Sequence, residues 1–105
     1  MICATMLTRQ DKLCGFTVSG HAGMAAHGSD IVCAAVSSAV YMAANTLTDV
    51  CGCAADIAEQ DGHLSVRLTQ PIGDSAQTIL KGLQDHLQGL SAQYPNFITI
   101  QLTEV

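Results

Sequence analysis

Apolar positions along this chain recur in two rhythms, an alternation of two and a helical spacing of three to four, and polar or glycine-rich breaks separate them. Residues 2–8 are mostly apolar and predict a strand. Arg9-Gln10-Asp11-Lys12 predicts a polar turn, and residues 13–19 predict a second strand with Cys14, Phe16 and Val18 on one face, the two forming a hairpin. Residues 20–29 hold three glycines and three alanines with no clear period and predict a loop. Asp30 is a good N-cap, and helical periodicity over residues 31–48 follows it. That helix carries Ile31, Val32, Ala34, Ala35, Val36, Ala39, Val40, Met42, Ala43 and Leu47 around most of its circumference. A helix apolar on all sides needs cover on more than one of them.

Cys51-Gly52-Cys53 ends the helix. Asp61-Gly62 between residues 54–60 and 64–69 is a strong hairpin signal, and Leu64, Val66 and Leu68 alternate with polar residues as in a half-buried strand. After Pro71, Asp74 with Gln77 reads as a capping box. Ala76, Ile79, Leu80, Leu83, Leu87 and Leu90 then form one helical stripe, with Gly82 and Gly89 either weakening the helix or allowing close packing against the first. Tyr94-Pro95 stops it, and residues 97–103 predict a last strand burying Ile98, Ile100 and Leu102. The order ββαββαβ predicts an α+β domain of two layers, residues 1–105, with two helices on a mostly antiparallel sheet of about five strands.

Composition narrows the function. Hydrophobic residues make up 49% of the chain, which excludes a disordered polypeptide, but aromatics are only 4%, so a core built alone is modest and an oligomer is expected. Four basic residues against nine acidic ones give a net charge of −5, and the basic ones do not cluster, so direct nucleic-acid binding is not expected. No secretory leader opens the chain and no apolar run is read as long enough to span a bilayer, so neither export nor a membrane partner is expected. Five cysteines, an odd number without secretory context, fit reduced thiols in a cytoplasm.

The chemistry centres on the loop–helix junction. With Asp30 as the cap, Cys33 falls in the first helical turn, where unpaired N–H groups and the macrodipole favour thiolate over thiol and could hold an oxyanion. Gly20, Gly23 and Gly28 give the loop freedom to admit a substrate. His21 and His27 both stand within reach as a base, and separation along the chain does not choose between them. Asp30 reads first as a cap and second as a group orienting an imidazole, and Ser37, one turn beyond Cys33, reads as a hydroxyl bonded to the preceding turn or as a supporting site residue. His63 and His86 read as surface residues. Cys51 and Cys53 lack the second ligand pair of structural zinc, and no nucleotide-binding or nucleophile-elbow motif is present, so no metal or cofactor is expected.

The stretches Gly20-His21-Ala22-Gly23 and Gly28-Ser29-Asp30-Ile31-Val32-Cys33-Ala34-Ala35-Val36-Ser37 closely resemble the signature of the bacterial ribosomal-processing cysteine protease family, and the likeness extends over essentially the whole chain. The resemblance implies a cytoplasmic homodimeric endopeptidase with a His/Cys dyad at His21 and Cys33. It also implies a substrate: the N-terminal extension of large-subunit ribosomal protein number twenty-seven, a hydrophobic peptide preceding a basic protein. The competing reading is a non-catalytic dimeric module of ribosome assembly that clamps a peptide with the same loop.

Overall fold

The computed structural model describes residues 1–20, 27–69 and 72–105, with the side chains of residues 27–30 outside that description. β1 (Ile2–Arg9) and β2 (Lys12–Ser19) form the expected hairpin, turning at Gln10 and Asp11, whose φ angles of 53° and 65° are those of a tight two-residue connection. α1 (His27–Asn45) follows, extended by a π-helical turn over Thr46–Val50. β3 (Ala55–Gln60) and β4 (His63–Leu68) form the second hairpin around Asp61-Gly62, then α2 (Asp74–Gln93) leads to β5 (Ile98–Glu104). The sheet order is β3-β4-β2-β1-β5. Three pairings are antiparallel and the fourth, β1 with β5, is parallel because α2 carries the chain across the sheet before β5 joins.

Both helices cover the same face of the sheet. Ile2, Ala4 and Met6 of β1, Phe16 of β2, Leu64, Val66 and Leu68 of β4 and Ile98 of β5 share one core with Val32, Val36, Val40, Ala43 and Leu47, and Ala76, Leu80, Leu83 and Leu87 of α2 complete it. Thr5, Thr17, Ser65 and Arg67, half-buried or exposed, belong to the opposite face, giving two layers. The register between β1 and β2 shifts after Leu7, so that Leu7 faces Gly15 and Thr8 faces Leu13. Cys14 is therefore the extra residue of a bulge, and the parity of β2 flips there. Leu13, not Cys14, joins Phe16 in the core cluster, which corrects the face read from simple alternation.

Four further expectations change. The helix begins at His27, so Asp30 lies within its first turn and does not cap it, and Gly28 is helical rather than part of the loop. Nothing in His27-Gly28-Ser29-Asp30 forbids helix, and an acidic residue in a first turn faces the positive end of the dipole. The capping box at Asp74 is also absent: Gly73 is the N-cap without a side-chain bond. Gln77 instead accepts from the Leu13 N–H at 3.1 Å and donates to the Leu13 carbonyl at 2.5 Å, clamping the bulged strand to α2. A Cβ on Gly82 or Gly89 would meet nothing within 4 Å, so neither glycine serves close helix packing. Leu102 is 57% exposed because β5 is an edge strand running past the end of its helical cover, although Ile98 is fully buried.

α1 is buried on one side only. Ile31, Met42 and Val50 are 62%, 63% and 79% exposed. Contrary to the reading of the bare sequence, Ile31–Val50 is long and apolar enough, by length and composition, to cross a membrane, although here its Val32, Val36, Val40 and Leu47 pack into the core. Its end is set by Thr46 and Thr48, whose hydroxyls donate to the carbonyls of Met42 and Ala44 at 2.7 and 3.1 Å, and by Gly52, which turns the chain away at φ 68°.

Candidate active site

A cavity opens between α1 and the β3–β4 turn, at the end of β2 from which the chain leaves toward His21. Its floor is core side chain: Ile2, Val18, Val36, Val40 and Leu64. One wall is a stripe of α1, Cys33, Ser37 and Tyr41, spaced at four residues and so stacked turn upon turn. The other wall is Gln60, Gly62 and His63. Cys33 is half-buried, its backbone held by a core helix and its side chain set in the cavity wall. Among the described residues no cysteine forms a disulfide, so the thiol is not locked in one.

Gly20 fixes the corner where the walls meet. Its φ is +91°, a Cβ there would run into the Met1 carbonyl oxygen, and its N–H donates to the Gly62 carbonyl at 2.9 Å. Only glycine satisfies all three conditions without strain. The bond ties the root of the loop that carries His21 to the β3–β4 turn, and the pairing of Ser19 with His63 continues the tie into the sheet.

The thiol sits deeper along its helix than expected. With α1 starting at His27, Cys33 is six residues in, about 9 Å from the helix start at 1.5 Å per residue. Its amide belongs to the internal hydrogen-bond ladder, and the dipole effect fades within the first turn. The helix terminus is therefore not the source of thiolate stabilisation or of an oxyanion hole at Cys33, which corrects the reading from the sequence.

Of the other sequence candidates, Ser37 and Gly20 line the cavity with Cys33. His21 and Gly23 lie outside the described residues, as do the side chains of His27 and Asp30. Sequence reasoning missed Tyr41, Gln60 and His63. Tyr41 was findable, since 33, 37 and 41 share a helical face. Its hydroxyl donates to the Glu59 carboxylate, bridging α1 and β3, and that hydrogen bond, with burial and the carboxylate's charge, raises its pKa above the ordinary 10.0. His63 is exposed, as its surface reading expects, and it stands at the cavity rim because β4 pairs with β2, a pairing that no local pattern shows. Among the described residues no group of three or more His, Cys, Asp or Glu side chains could hold a metal ion.

Fold and site together define a small α+β domain with a thiol-centred cleft, the layout of a cysteine hydrolase. The family model described as Cysteine protease Prp matches residues 1–99, and the chain belongs to that family. It is similar to the ribosomal processing cysteine protease Prp of Bacillus subtilis strain 168, 29% identical over 95% of this chain and 96% of the relative. It is also similar to the Staphylococcus aureus Mu50 protein of the same name, 30% identical over 81% and 82% of the two chains. Among solved structures, that of the S. aureus protease with a covalently linked product peptide superposes with a TM-score of 0.88 at 27% identity, covering 98% of this chain and 100% of the other. The complex of the S. aureus protease with a substrate peptide gives 0.88 at 26% identity, over 98% of this chain and 100% of that one. A Streptococcus mutans protein gives 0.85 at 28% identity, covering 100% of this chain and 96% of that one.

Proposed function

We propose that this protein is the endopeptidase that removes the N-terminal extension of large-subunit ribosomal protein number twenty-seven, working with Cys33 as nucleophile and His21 as general base and acid. The observation that carries the reading is the placement of Cys33, a half-buried thiol in the wall of a cavity wide enough to take a peptide side chain. Support for a ribosomal peptide substrate comes from the names of the relatives and from the peptides bound in the S. aureus structures.

In this scheme His21 takes the Cys33 proton and the sulfur attacks the scissile carbonyl carbon. The C–N bond then breaks as His21 returns the proton to the leaving amine. Water, deprotonated by the same imidazole, hydrolyses the thioester and frees the enzyme. The Gly20–Gly62 bond fixes the point from which His21 approaches, one residue beyond Gly20. The apolar floor suits a hydrophobic extension, and the net charge of −5 suits a basic protein behind it. The exposed Ile31, Met42 and Val50 of α1 support a homodimer, and five cysteines outside any disulfide support a reducing cytoplasm.

Incubation with the extended ribosomal protein, with products weighed by mass spectrometry, tests the reading. Wild type should release the extension, and Cys33→Ala should keep its fold and release none. Cleavage by Cys33→Ala refutes the nucleophile. Loss of turnover in His27→Ala but not in His21→Ala reassigns the base. Slow, uniform alkylation of all five cysteines by iodoacetamide, with no cleavage, favours the peptide-clamping module.

A further inference from the structure

Cys51-Gly52-Cys53 lies outside the cleft and takes no part in the chemistry above. Cys51 stands about 27 Å along the helix from Cys33 at 1.5 Å per residue, so a role for this pair does not rest on the hydrolase reading. The segment is held in a fixed frame. Cys51 closes the π-helical turn with right-handed angles, φ −87° and ψ −13°, and Gly52 follows at φ 68°. That change of hand turns the chain back on itself at the helix end. The Cys51 N–H donates to the Thr46 carbonyl at 2.9 Å and the Cys53 N–H to the Leu47 carbonyl at 2.8 Å. Ala54 accepts from the Thr69 N–H at 3.0 Å, which fastens the same segment to the end of β4.

The frame keeps two thiols together. Residues two apart in sequence have Cα atoms at most about 7 Å apart, and a bend between them shortens the span. A disulfide bridges Cα separations of about 4.4–6.8 Å. Both cysteines are half-buried, and both line one open cavity of about 340 Å³, with Leu68, Ile72 and Asp74 among its other walls. The remaining thiols are placed apart: Cys3 on β1, Cys14 fully buried in β2, Cys33 in the cleft. Cys53 packs against the core, which leaves Cys51 the more open to an incoming reagent.

We propose that Cys51 and Cys53 form a redox couple, closing to a disulfide by exchange with a small-molecule disulfide of the glutathione type. The Cys51 thiolate attacks one sulfur of glutathione disulfide, its S–S bond breaks, and one glutathione thiolate leaves. The Cys53 thiolate then attacks the Cys51 sulfur of the mixed disulfide and expels the second glutathione. Two protein thiols are oxidised, one glutathione disulfide is reduced, and the two protons end on the released glutathiones. Such a short ring is strained and reopens readily, so the pair follows the thiol poise around it.

The full-length chain, equilibrated with glutathione disulfide in about 1 mM reduced glutathione and then alkylated, tests this, because a neighbouring thiol acting at a few millimolar should favour the ring over mixed disulfide about threefold. Chymotrypsin, cutting after Leu47 and Leu64, frees a fragment carrying this pair and no other cysteine. By mass spectrometry that fragment should be unalkylated and lighter by two hydrogens, while Cys3 carries glutathione. In Cys53→Ser the second attack is lost, and glutathione should stay on Cys51. Free or singly glutathionylated thiols in wild type at every glutathione ratio overturn the proposal, as does pairing of either cysteine with Cys3 or Cys33.

Discussion

Gln77→Ala offers the sharpest test of the packing described above. The Gln77 carboxamide holds both polar groups of the Leu13 backbone across 64 residues of sequence, in a partly buried setting beside the β2 bulge. Truncation removes two hydrogen bonds and leaves a donor and an acceptor where no replacement side chain stands. Each net bond is worth about 1 kcal/mol, and each group left unpaired costs about 1–3 kcal/mol where water is excluded. Partial burial lets water recover some of this, so the expected loss is about 2 kcal/mol. For a domain of this size that lowers the melting temperature by about 10 °C. Helix propensity does not offset it, since alanine and glutamine differ little there. Urea unfolding followed by circular dichroism should show the loss as a lower midpoint at constant m-value. Gln88→Ala, on the exposed face of α2, is the control and should stay within about 0.5 kcal/mol of wild type. Peptide cleavage by Gln77→Ala at 25 °C should be unchanged, because Gln77 does not line the cleft. A stability equal to wild type would refute the idea that the clamp holds β2 to α2.

Other substitutions probe single features. Gly89→Ala should stabilise the protein by about 0.5–1 kcal/mol in a thermal melt, because an added Cβ meets nothing and the helix interior loses its glycine cost. Gly20→Ala should destabilise by about 1–3 kcal/mol or more and slow cleavage, since the residue must hold φ +91° against the Met1 carbonyl; wild-type behaviour in both assays contradicts the corner geometry. In an alkaline absorbance titration of the two tyrosines, Tyr41 should ionise above the ordinary value, and Glu59→Gln should bring it down by removing the carboxylate that opposes the phenolate. Separately, iodoacetamide should label Cys33 before Cys14, which is fully buried.

The elements were legible in the sequence because each has a local cause. The Asp61-Gly62 turn, the alternation of Leu64, Val66 and Leu68, and the stop at Tyr94-Pro95 all appear where the pattern places them. What stayed hidden depends on residues far apart in the chain. Nothing near Cys14 announces a bulge, and nothing near Gln77 says that its amide serves Leu13 rather than its own helix end. The start of α1 was missed for a different reason: Asp30 is an excellent cap by type, yet the residues before it tolerate helix equally well. For the site, Cys33 and Ser37 follow from helical spacing, but the β3–β4 side of the cavity exists only through strand pairing, which brings His63 to its rim.

The position of β1 has a consequence for biosynthesis. Of the five strands β1 is made before the other four yet lies inside the sheet, and one whole flank of it, from Ile2 to Thr8, waits for partners that lie 96 residues downstream. The hairpin with β2 forms at once, but its outer edge stays open throughout synthesis of both helices. The sheet is thus sealed only when β5 arrives, and a nascent chain stalled before Ile98 carries an unzipped edge that invites pairing with a neighbour.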